Sequence, residues 1–78
     1  MAGILGIFDD KSAKEYLQEI ISKLRKKVKR NDFKIEYNKE CIILYTADKE
    51  ISENIKEVLK IEPLFSDTGE YLWYIMID

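Results

Sequence analysis

The run Tyr71–Ile77, Tyr-Leu-Trp-Tyr-Ile-Met-Ile, constrains this chain more than any other stretch. Aromatic and aliphatic side chains follow one another there without a charge, and the turn signal Asp67-Thr68-Gly69 stands just ahead. Such a run reads as a β-strand. Strand side chains alternate, so Tyr71, Trp73, Ile75 and Ile77 share one face while Leu72, Tyr74 and Met76 share the other. Both faces are apolar, and each needs cover.

Length makes the second cover hard to find within the chain. With 78 residues there is one domain, residues 1–78, and one core. A hydrophobic fraction of 46% calls for a packed fold. A core this small is marginal, and oligomerisation is a usual remedy. The other remedies lack their residues: Cys41 is the single cysteine and there is no histidine, so neither an internal disulfide nor a common zinc site is expected.

Upstream, residues 1–8 are apolar apart from two glycines and read as a strand or an apolar arm. Residues 11–30 read as a helix. Ser12-Ala13-Lys14-Glu15 has the form of a capping box, and Leu17, Ile20, Ile21, Leu24 and Val28 recur at helical spacing. Residues 33–46 read as a hairpin, with Phe33, Ile35 and Tyr37 alternating against Lys34 and Glu36 before the doubly apolar Cys41-Ile42-Ile43-Leu44-Tyr45. Residues 48–60 form a second predicted helix, capped by Asp48 and carrying Ile51, Ile55, Val58 and Leu59 on one face. Residues 63–77 form a second hairpin.

The expected class is α+β. It is a two-layer sandwich in the order (β)αββαββ, with two helices on one face of an antiparallel sheet of four to five strands. With the leading strand, the first six elements have the ferredoxin-like order. The helix-free face would then show apolar groups from Ile42 and Leu44 (or from Cys41, Ile43 and Tyr45) and from Leu72, Tyr74 and Met76. A monomer rarely exposes a contiguous patch of that kind, so a homodimer or a protein partner is expected over it.

Charge is polarised. Residues 11–32 hold eight Lys or Arg against three acids, whereas residues 33–78 hold five Lys against ten acids. Lys23, Arg25, Lys26, Lys27, Lys29 and Arg30 form the anion-binding candidate, for nucleic acid or lipid head groups. The competing reading is a solvated helix end whose cations suit the helix dipole. A pI of about 5.2 and the lack of interleaved aromatics favour it. Strand aromatics such as Tyr37, Tyr45, Tyr71, Trp73 and Tyr74 can stack on bases, but the same residues serve packing.

Catalytic signatures are missing. The glycines at 3, 6 and 69 make no phosphate loop, and Cys41 at the head of an apolar strand reads as a structural thiol. No catalytic residue, metal or cofactor is expected. No run has the length of a membrane span, and residues 1–8 lack the basic lead-in of a signal peptide, so a cytoplasmic protein is expected.

Two stretches bear a family likeness. Residues 1–9, Met-Ala-Gly-Ile-Leu-Gly-Ile-Phe-Asp, resemble the opening strand of class II glutamine amidotransferases. The nucleophile of that family is a cysteine at the second position, where this chain has Ala2, so no catalytic role carries over. The apolar start followed by Ala13-Lys14-Glu15-Tyr16-Leu17-Gln18-Glu19-Ile20-Ile21 resembles the cell-division topological factor MinE over about the first 30 residues. That resemblance implies a membrane anchor at residues 1–8 and a partner-binding helix at residues 14–25. The hairpin at residues 33–45 falls where that family continues with a second helix. The favoured reading is a small non-catalytic interaction or regulatory module, homodimeric, with nucleic-acid binding and membrane association as the alternatives.

Overall fold

Seven elements follow one another along residues 2–29 and 31–78, which the computed structural model describes. They are β1 (Ile4–Phe8), α1 (Asp10–Leu24), β2 (Lys34–Tyr37), β3 (Cys41–Thr46), α2 (Lys49–Leu59), β4 (Leu64–Phe65) and β5 (Tyr71–Ile77). The five strands form one mixed sheet in the order β1-β5-β3-β2, and β4 also pairs with β5. The βαββαββ order is therefore the one the sequence predicts. The sheet departs from the expected antiparallel pattern at one pair, because β1 runs parallel to β5.

β5 is the hub. β3 lies antiparallel along one side of it, pairing Cys41 with Met76 through to Thr46 with Tyr71. Its other edge is shared: β4 takes Tyr71 and Leu72, while β1 takes Tyr74 to Ile77. Gly3 joins the two parts, donating its N–H to the Glu62 carbonyl at 2.6 Å and accepting from the Tyr74 N–H. It is buried with φ +74°, and a Cβ there would run into Leu64. This order differs from the ferredoxin-like arrangement. There the opening strand takes a central place; here it lies at the edge and the closing strand is central.

Two crossovers link parallel strands that other strands separate. One runs from β1 to β2 over β5 and β3, the other from β3 to β4 over β5. They cross the sheet in opposite directions on strands of opposite direction, so a common handedness puts both helices on the same face. The core follows from that. Ala13, Leu17, Ile20, Leu24 and Val28 from the first helical segment and Ile55 from α2 meet Ile42, Leu44, Trp73 and Ile75 from the two central strands. Ile51, Val58 and Leu59 line its margin, as do Leu5 and Phe8 of β1. Phe8 stacks on Tyr16 of α1 with ring centroids 4.9 Å apart. Trp73 has 0% exposure, and its indole N–H donates to the Ile61 carbonyl at 2.9 Å.

Helix ends show where side chains compete with propensity. Asp9, not Ser12, is the cap of α1: its carboxylate accepts from the Ser12 N–H at 2.8 Å. Starting a turn earlier brings Ala13 into the core. The Ser12 backbone N–H, with its hydroxyl, also holds the Asp9 carboxyl below its ordinary value of 3.8. Asp48 caps α2 as expected, accepting from the Ile51 N–H at 3.0 Å. That helix closes on Lys60 in the left-handed region, φ 63°, with Pro63 beyond.

The predicted helix over residues 11–30 stops at Leu24, which corrects the sequence reading. Lys23, Arg25, Lys26, Lys27 and Lys29 would stack like charges at three- and four-residue spacing on a continued helix. The backbone instead tightens into turns, with Lys27 N–H donating to the Leu24 carbonyl at 2.9 Å, and Val28 still reaches the core. Asp32 then accepts from the Lys29 N–H at 2.9 Å. Buried Thr46 donates to the Asp32 carbonyl and accepts from the Asp48 N–H, joining this turn to the start of α2. Lys27 reaches Glu57 of α2 at 2.7 Å.

Two outcomes test this account. Trp73→Ala should cost about 3–5 kcal/mol in urea unfolding, and Trp73→Phe about 1 kcal/mol for the lost hydrogen bond plus its packing. A W73A protein as stable as wild type would refute a core centred on β5. The hydrogen bond from Lys27 holds the Glu57 carboxyl below its ordinary value of 4.5. The pair therefore stabilises the fold above that pH, and its contribution fades as pH falls through the folded-state value. The stability difference between wild type and Glu57→Gln should be largest at neutral pH and shrink in acid. A difference that stayed constant with pH would rule the ion pair out as its source.

Candidate interaction face

With both helices on one side, the pleat decides what the other side shows. The strand register makes three rows across it. Glu36, Ile43, Tyr74 and Ile4 form one; Lys34, Tyr45, Leu72 and Leu64 form the next; Cys41, Met76 and Ile7 form the third. Leu72, Tyr74 and Met76 thus lie where the alternation of β5 puts them. Ile42 and Leu44 do not. Each is 1% exposed and faces the helices, so β3 contributes Cys41, Ile43 and Tyr45 to the open side. The pleat of β3 allows either set, and the register against Trp73 and Ile75 selects one.

The face is apolar through its centre. Ile7 is 73% exposed and Leu64 42%, while Ile43, Tyr45, Leu72, Tyr74 and Met76 are half-covered by one another. Charge borders it along β2, with Lys34 and Glu36, and Glu70 lines a pocket beside Lys34 and Tyr45. Ile4, Ile7 and Leu64 were not among the residues singled out from the sequence. Their place depends on β1 and β4 sharing one edge of β5, which no local pattern announces. Cys41 lies at the hairpin end of the face, its Sγ 3.9 Å from Asn38 Nδ2.

Lys23, Arg25, Lys26, Lys27 and Lys29 lie away from this face, at the end of α1 and in the turns behind it. Lys23 pairs with Glu19 at 3.4 Å and Lys27 with Glu57 at 2.7 Å. Arg25, Lys26 and Lys29 are exposed; Arg30 lies outside the described residues. Two of the six candidate anion ligands are thus engaged by the chain's own carboxylates. Of the aromatics that could stack on bases, Tyr45 and Tyr74 lie on the open side, Trp73 is in the core and Tyr71 packs against it. Residues 4–8, read from the family likeness as part of a membrane anchor, are a sheet strand. Among the described residues no helix is long and apolar enough to cross a membrane, and no three Cys, Asp or Glu side chains are grouped to hold a metal ion.

Set beside family models, curated proteins and solved structures, the chain matches none of them.

Proposed function

We propose that this chain is a small, non-catalytic, homodimeric module that binds another protein through the open face of its sheet. One observation supports the reading above the others: Ile4, Ile7, Ile43, Tyr45, Leu64, Leu72, Tyr74 and Met76 lie together on the side without helices. An apolar patch framed by charge is the usual make-up of a protein-binding surface. Tyrosines at its centre supply contact area at small entropic cost. A regulator or inhibitor acting by occupancy needs no more than that, and the cytoplasm is the compartment we assign to it.

Capture from lysate of wild type beside Tyr74→Glu and Ile43→Glu, with and without nuclease, tests the reading. Wild type should retain a protein partner whether or not nuclease is added. Both variants should lose it while keeping the wild-type circular dichroism. Retention by both variants would reject the face. Loss of the captured material on nuclease treatment would transfer the role to Arg25, Lys26 and Lys29 as phosphate ligands.

A further inference from the structure

β2 closes the sheet, with β3 on one side and, among the described residues, no strand on the other. Its pairing fixes which of its backbone groups point outward. The Asn38 N–H donates to the Cys41 carbonyl at 2.8 Å, so Asn38 and Cys41 form a hydrogen-bonded pair. Antiparallel ladders alternate, and the register places Glu36 opposite Ile43 and Lys34 opposite Tyr45 in the next bonded pairs. Ile35 and Tyr37 therefore direct their N–H and C=O groups to the open edge.

We infer that β2 pairs antiparallel with β2 of a second copy of this chain, about a two-fold axis through Ile35. Charge selects both the occupant and the register. Lys34 and Glu36 share the face of the sheet opposite the helices, two positions apart. Centred on Ile35, each Lys34 lies across from the Glu36 of the other copy, twice, in the closer non-bonded pairs of the ladder. Ile35 meets its own counterpart in a bonded pair with both outward groups satisfied. Centring on Glu36 or on Lys34 would set like charges face to face instead. A lone lysine on an edge strand discourages pairing. A lysine with a glutamate two residues on is complementary to itself.

The helix side of the edge also gains cover. A groove lined by Gln18, Ile21, Arg25, Phe33, Ile35 and Tyr37 runs between α1 and β2. Tyr37 is 60% exposed, and Ile21 and Ile35 are half-buried. The second copy would cover these side chains and join the two open faces into one platform twice as wide. The interface is short, so affinity in about the micromolar range is expected.

This inference rests on the homodimer in the proposed reading and assigns its seam, which charge exchange tests. Sedimentation should show a dimer for wild type. Lys34→Glu and Glu36→Lys should each weaken it about tenfold or more. The doubly exchanged K34E/E36K chain should dimerise like wild type, and an equimolar mixture of the two single variants should form the heterodimer. Tyr74→Glu should leave the dimer intact. A monomeric wild type, single variants that dimerise normally, or a double exchange without recovery would each overturn the seam. Dimer loss confined to Tyr74→Glu would overturn it too, while keeping a homodimer through the open face.

Discussion

The burial of Trp73 is the constraint on which the rest of the structure depends. Its side chain is enclosed between the central strands and the helix layer, and its indole N–H has a partner in the Ile61 carbonyl. An enclosed donor without a partner would give back much of what burial gains. That bond links the hub strand to the segment returning from α2 to the sheet. One residue further on, Glu62 accepts from Gly3, so the same short loop also anchors the approach to β1. The left-handed turn at Lys60 aims the loop, and the ion pair of Lys56 with Glu62 at 2.7 Å lies over it.

The surface follows from how the chain crosses the sheet. β1 to β2 and β3 to β4 both cross on the same side, so a single helix layer is shared and the opposite face stays open. A chain with one more crossover could cover it; one with less apolar central strands would not need to. The described residues form two helices and two central strands that are apolar on both sides. The resulting face is a property of the topology and the composition together.

Charge polarity along the chain is only partly polarity on the molecule. The basic segment leaves the helix after Leu24, because a continued helix would stack its cations, and one of them bonds across to the acidic side of α2. The alternating Lys34 and Glu36 border the open face along one edge, since β2 forms that rim. A run of like charge is thus partly met by the chain's own carboxylates, and an unremarkable alternating pair is brought to an edge where its order matters.

Local pattern determined the type and order of the elements, though not both ends of the first helix. The alternation of residues 71–77 put Trp73 and Ile75 on one face, and the spacing of Leu17, Ile20, Leu24 and Val28 identified the buried stripe, because these patterns arise from local geometry. The capping role of Asp48 is local in the same way. Strand neighbours, by contrast, are chosen between segments distant in sequence, through the combined fit of side chains. Only the tertiary structure decided that β1 joins β5 in parallel, that β4 and β1 divide one edge, and that Ile42 and Leu44 face inward while Ile43 and Tyr45 face outward. A doubly apolar strand satisfies its own pattern with either face buried. The register against Trp73 removes that degeneracy, since one choice fills the space beneath the helices and the other leaves it empty.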